Sequence, residues 1–178
     1  MNPVRNQRRI AAALVLVFLY LALNACSQRE QPVERGKSAA GLYNVTLHDL
    51  FGNQIPFQSF HGKVLVIDFF ASWCGPCRET APVIQSIHER YGAQSDVAVV
   101  GVALEPPSSL EAVRLFVKRH GITFPSVIDD GKIREITGVH MVPTTLIIDK
   151  DGKAHARIPG ARRDLKELII REIEQLRK

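Results

Sequence analysis

The sequence predicts an α/β fold, a three-layer sandwich: a mixed central sheet with helices on both faces. Three observations carry this. Short apolar runs rich in β-branched and aromatic residues alternate with segments whose apolar residues recur at helical spacing, the pattern of buried strands joined by helical crossovers. An Asp151-Gly152 pair between two late apolar runs marks a hairpin, which makes one edge of the sheet antiparallel. No internal repeat or second domain is visible in 178 residues, a length that suits one domain with some chain to spare.

The chain opens with an export pattern over residues 1–25. Arg5, Arg8 and Arg9 precede an unbroken apolar run, Ile10 to Leu23. As a helix that run covers about 21 Å, short of a hydrocarbon core of roughly 30 Å. A basic start followed by a short apolar stretch reads as a secretory signal. It ends in Leu23-Asn24-Ala25-Cys26, which resembles the bacterial lipobox and makes Cys26 the expected lipidation site. The alternative is an uncleaved, marginal anchor with Cys26 incidental. In either case the rest of the chain is expected on the extracytoplasmic side. Ser27 is not the aspartate typical of inner-membrane retention, which hints at an outer membrane if the host has two. Residues 26–40 hold one large apolar side chain, Val33, among polar and small ones, too little to offset the entropy of ordering. They are expected to be a flexible tether, with the folded domain over 41–178.

Charge excludes one class of function. The net charge of +5 includes the three arginines of the export segment, leaving 20 basic against 18 acidic residues over 26–178. No basic field large enough to track phosphates remains, so a nucleic-acid partner is not expected.

Within the domain, Val64–Phe70 is the first buried strand, bounded by Gly62 and the Cys74-Gly75-Pro76 breaker. Val83, Ile84, Ile87 and Tyr91 place a helix from Cys77 to about Tyr91, stopped by Gly92. Val97–Leu104 is a second buried strand. Ser108-Ser-Leu-Glu111 has capping-box spacing before Leu110, Val113, Leu115, Phe116 and Val117. Ser126–Ile128, Thr144–Ile148 and Ala154–Ile158 are further strands. Asp164-Leu-Lys-Glu167 repeats the capping pattern before a last helix with Leu165, Leu168, Ile169, Ile173 and Leu176 on one face.

The chemistry lies at Trp73-Cys74-Gly75-Pro76-Cys77. A strand running into a helix start puts the first thiol where unpaired N–H groups and the macrodipole favour an anion, a setting that lowers a thiol pKa from about 8.5 towards roughly 3.5–7.5. Cys74 is then the nucleophile and Cys77 the resolving thiol. A zinc site needs about four ligands, and only Cys26 remains among the cysteines, while the six histidines show no paired spacing. Haem attachment needs a histidine after the second cysteine, and that position is Arg78. No metal or separate cofactor is expected; the redox group is the Cys74–Cys77 pair.

From this motif onward, roughly Val64 to Leu176, the chain resembles the thioredoxin superfamily. Asp68 falls where thioredoxins keep a buried acid that moves protons during exchange; its plain alternative, a solvated or edge aspartate, is hard to place inside Val64–Phe70. Pro82 matches a helix-kinking proline. Val142-Pro143-Thr144 matches the loop whose cis proline packs against the dithiol, and Gly160-Ala161 also fits. The resemblance makes Trp73, Gly75, Pro76 and Val142 the expected substrate groove. Two additions, Leu42–Phe60 with a Gly52-Asn53 turn and the helical insertion over Glu105–Ser126, are similar to the membrane-tethered TlpA/ResA-like (redoxin) branch. Members of that branch often carry a neutral residue at the Asp68 position, and some place a functional glutamate in the insertion, for which Glu105 is the candidate. His140 is expected to be a solvated loop residue rather than a border of the groove.

These readings point to a thiol-disulfide oxidoreductase acting on protein disulfides, as a reductant. The resemblance implies a membrane electron donor, cytochrome c apoproteins as acceptors, and a monomer held at a membrane by lipid. Two other classes compete. A thiol peroxidase of the redoxin type would carry Pro-x-x-x-Thr-x-x-Cys, whereas Phe69-Phe-Ala-Ser-Trp73 precedes Cys74. A binding module without redox turnover would not need an intact CxxC.

Overall fold

A computed structural model describes residues 39–178; the export segment, Cys26 and the tether up to residue 38 lie outside the described residues. A 3₁₀ turn at Ala40–Asn44 leads into β1 (Thr46–His48) and β2 (Gln54–Pro56), an antiparallel pair followed by a second 3₁₀ turn at Phe57–Phe60. The hairpin closes because Asp49 accepts N–H groups from Phe51 and Asn53, each at 2.8 Å, and because Gly52 takes a φ of 92°. Ala39, which the sequence reading leaves in the tether, is buried and donates its N–H to Gly152 O at 3.0 Å.

The main sheet contains β3 (Val64–Phe70), β4 (Val97–Ala103), β5 (Ser126–Ile128), β6 (Thr144–Ile148) and β7 (Ala154–Pro159), in the order β5-β4-β3-β6-β7. β3 runs parallel to β4 and antiparallel to β6, and β6 and β7 form the hairpin marked by Asp151-Gly152. All seven residues of β3 are buried, since it is central and covered on both faces, which is why it reads as one continuous apolar run.

Period-two alternation divides β3 between two cores. Val64, Val66 and Phe70 join one core with α1 (Cys77–Tyr91), α2 (Leu110–Arg119) and α4 (Leu165–Leu176). Leu65, Ile67 and Phe69 join the other, under the N-terminal segment and α3 (Lys132–Thr137). The sandwich is the predicted three-layer one. Among the described residues, no helix is long and apolar enough to cross a membrane.

Several local expectations need correction. The second strand ends at Ala103, and Leu104 instead donates its N–H to Phe70 O at 2.9 Å. No side chain caps α2: a 3₁₀ turn at Pro107–Ser109 precedes it, and Glu111 bonds Arg114 at 2.5 Å. Asp164 does stand at the start of α4, but Arg162 holds its carboxylate at 2.5 Å. Leu115 is on the exposed face of α2. The short α3 had no counterpart in the sequence reading. It is set by Asp129, which accepts the N–H groups of Ile133 and Arg134 at 3.0 and 3.2 Å, and by left-handed Gly131 and Gly138 at its ends.

Candidate active site

The site forms where β3 runs out. After Phe70 the chain turns through Ala71–Pro76 and enters α1 at Cys77. Cys74 and Cys77 are joined by a disulfide, with Cα atoms 5.3 Å apart. Cys74 is 4% exposed and Cys77 only 1%, so the first sulfur is the more accessible. The backbone of the first turn is specialised. Arg78 N–H goes back to Gly75 O, and those of Glu79 and Thr80 to Pro76 O. The N–H of Cys77 points at Cys74 Sγ, at 3.2 Å. No side chain caps this helix start. An N–H and the positive end of a helix aimed at Cys74 Sγ favour its anion once the disulfide opens.

Glu105 secures the turn from the side. Only 5% exposed, it accepts the Ser72 N–H on Oε1 and the Ser72 hydroxyl on Oε2, the latter at 3.0 Å. With the Leu104–Phe70 bond, the ends of β3 and β4 are zipped together two residues before the nucleophile. Ser72 is a functional contact that local sequence does not signal, because its partner lies 33 residues on. Glu105→Ala should leave the half-buried Ser72 N–H and hydroxyl without their partner and cost about 1–2 kcal/mol. Glu105→Gln, which can still accept the N–H, should recover most of that loss. Urea unfolding of the oxidised protein measures both, and an alanine variant as stable as wild type would remove the clamp from the account.

Asp68 lies on the α1-facing side of β3, the side of both cysteines, since its period-two neighbours Val66 and Phe70 pack there. Its strand partners are Gly101 and Thr145. It is 2% exposed, and Oδ1 has no hydrogen-bond partner. Burial alone pushes its carboxyl up to about 7. Gly101 leaves no room for a larger residue, because a Cβ there would meet Ser126 Oγ at 2.6 Å.

The third wall is the loop before β6. The Val142-Pro143 peptide is cis, and Pro143 is buried. Pro143 O accepts the Gly160 N–H at 2.8 Å, and the Thr144 hydroxyl donates to Met141 O at 2.8 Å. Val142 packs against the core that contains both cysteines. Around the dithiol, Trp73 is 70% exposed, Pro76 is exposed and Gly75 half-buried. Met141, 64% exposed, is a second apolar rim residue absent from the expected groove; its position two before Pro143 is the one signal for it. His140 is exposed, as expected, and also lines a pocket beside this loop with Met141 and Arg157. Among the described residues no group of three or more His, Cys, Asp or Glu side chains is gathered as a metal site would need.

A sequence profile of the AhpC/TSA family matches residues 39–157. The chain belongs to the AhpC/TSA family. Among AhpC/TSA relatives, the thiol-disulfide oxidoreductase ResA of Bacillus cereus is 35% identical over 88% of this chain and 91% of that protein. ResA of Geobacillus thermodenitrificans is 30% identical over 97% of this chain and 98% of its own length. A crystal structure of a putative thiol:disulfide interchange protein DsbE from Chlorobium tepidum superposes with a TM-score of 0.69, at 27% identity, covering 82% of this chain and 99% of that one. With its CxxC pair, this AhpC/TSA member is a thiol-disulfide oxidoreductase of the ResA and DsbE type.

Proposed function

We propose that the protein reduces protein disulfides on the extracytoplasmic side of a bacterial membrane, held there by lipid on Cys26. The observation that carries the reading is the Cys77 N–H directed at Cys74 Sγ, at 3.2 Å, on an uncapped helix start. In the reduced protein Cys74 is the thiolate. It attacks one sulfur of a substrate disulfide, forming a Cys74–substrate bond and releasing the other substrate sulfur, which takes up a proton. Cys77 then loses its proton and attacks Cys74 Sγ, forming the internal disulfide and expelling the second substrate thiolate. Two electrons have moved from the dithiol to the substrate. A membrane electron-transfer protein restores the dithiol, and apoproteins of c-type cytochromes are among the acceptors.

Asp68 supplies the proton traffic. With its carboxyl poised near 7, it accepts the Cys77 proton as that thiol becomes the attacking group and returns it when the pair is reduced again. Trp73, Gly75, Pro76, Val142 and Pro143 form the surface on which the substrate segment lies. Arg5, Arg8 and Arg9 ahead of the Ile10–Leu23 apolar run, with Cys26 three residues beyond it, support the extracytoplasmic, lipid-held location.

A Cys77→Ser variant of the full chain, expressed in the native host, should stall at the first step and accumulate mixed disulfides through Cys74 that dithiothreitol releases. Mass spectrometry of the released proteins names the substrates. If the variant captures nothing while the reduced wild type consumes peroxide, the disulfide-reductase reading fails and the peroxidase one replaces it.

A further inference from the structure

The rim of the dithiol carries cations that the exchange chemistry does not use. Arg78, the residue after Cys77, is exposed and folds back over the turn between the cysteines: a Cβ on Gly75 would stand 3.4 Å from Arg78 Nη2. Arg163 is exposed on the segment that begins at Gly160, whose N–H is tied to Pro143 O at 2.8 Å. Among the described residues neither of them forms an ion pair. On the other flank of the cis-proline loop, Arg157 lines the pocket with Val139, His140, Met141 and Pro159, its guanidinium anchored on the carbonyls of Thr137 and Gly138.

The acids of this end are differently placed. Asp68 and Glu105 are buried, the second with both oxygens on Ser72. Asp164 is held by Arg162. Glu79 and Glu167 are exposed, on the first turns of α1 and α4, with Arg78 and Lys166 as their sequence neighbours. Trp73 on the dithiol turn and Met141 on the cis-proline loop are two of the four large apolar side chains exposed among the described residues. The exposed apolar residues of the dithiol turn and the cis-proline loop thus have Arg78, Arg157 and Arg163 on the same or directly tied segments.

We propose that this rim selects disulfides carried by acidic segments, in which Asp or Glu flanks the cysteine, over those carried by basic segments. The inference rests on the disulfide-reductase reading above and names the substrate class for that site. Exposed charge pairs are individually weak and salt-screened, but several acting on one short segment shift capture and orientation without altering the sulfur chemistry. Acidic flanks also make a cysteine a poorer leaving group. Preference must therefore be measured against the intrinsic reactivity of each substrate.

Three peptides with the same disulfide, flanked by Asp/Glu, Asn/Gln or Lys residues, serve as probes for the full chain in its reduced state. Each kcat/KM is divided by the rate of the same peptide with dithiothreitol. The acidic-to-basic ratio should be roughly tenfold at low salt and collapse as ionic strength rises. An Arg78→Ser, Arg163→Ser double variant should bring the ratio close to one, and Arg78→Lys, Arg163→Lys should restore it. A rate loss common to all three peptides reports on the Cys74 thiolate; the ratio alone reports on recognition. Equal normalised rates at low salt, or a ratio unmoved in the serine variant, overturn the proposal while leaving the reductase reading intact. A chain that reduces none of the three overturns that reading and the proposal with it.

Discussion

Cys74→Ser should lower disulfide reduction by more than about a thousandfold, while Cys77→Ser keeps the first step and loses only the release. The asymmetry follows from the first turn of α1. Of its N–H groups, those of Arg78, Glu79 and Thr80 are spent on Gly75 and Pro76 carbonyls, and only that of Cys77 reaches Cys74 Sγ. The stabilised anion is therefore at position 74, and the same N–H has no sulfur to serve when serine stands there. Cys77, 1% exposed, is shielded from a substrate and reaches only Cys74. Neither variant should unfold the protein. A bridge between residues three apart closes a very short loop, and the chain-entropy estimate for it is about 2 kcal/mol. Insulin reduction followed by turbidity, with circular dichroism as the control, reads both outcomes. A Cys74→Ser protein that still reduces insulin at a tenth of the wild-type rate would move the nucleophile elsewhere.

Much of this was legible because the strongest physical constraints are local. A strand covered on both faces must be apolar throughout, so β3 stands out, and an aspartate at its fifth position can only be buried. The CxxC pair between that strand and a helical pattern already places a thiol at a helix start. What escaped depends on partners distant in sequence or on elements too short to show a period. α3 spans six residues, less than two turns, and is held by the Asp129 carboxylate instead of an apolar stripe. The two expected capping boxes do not form: a 3₁₀ turn moves the start of α2 to Leu110 with Ser109 before it, out of register with Ser108, and the Asp164 carboxylate is held by Arg162 at 2.5 Å. Glu105 was a candidate only through the family resemblance, and its work on Ser72 depends on β3 and β4 ending side by side. The arginines of the rim carry no signal in the sequence, because only the Gly160–Pro143 bond and the approach of Arg78 to Gly75 tie their segments to the dithiol turn and the cis-proline loop.

Asp68→Asn should make the protein more stable than wild type at pH 8 and remove an inflection near pH 7 from its exchange rate. The carboxyl titrates at about 7 in the fold, against an ordinary value of 3.8, because burial penalises the charged form. The folded state thus holds a proton that the unfolded chain gives up, and wild-type stability falls as pH rises from about 4 to 7. Below that window the acid is neutral in both states and costs nothing by this route; above it the full penalty applies, on the order of 4 kcal/mol for a shift of this size. An asparagine carries no charge, so the stability difference between variant and wild type should grow across the window and level off above it. Urea unfolding of the oxidised forms at pH 4.5, 6 and 8 tests this. Function should move in the opposite sense: if Asp68 takes and returns the Cys77 proton as proposed, its loss should slow exchange at neutral pH by about a hundredfold. That combination, a gain in stability with a loss of rate, separates a proton-transfer role from a packing role, because a residue that merely filled space would lose both on substitution. Parallel stability curves for the two proteins from pH 4.5 to 8 would mean that the Asp68 carboxyl keeps its ordinary acidity in the fold and is too weak a base to hold the Cys77 proton.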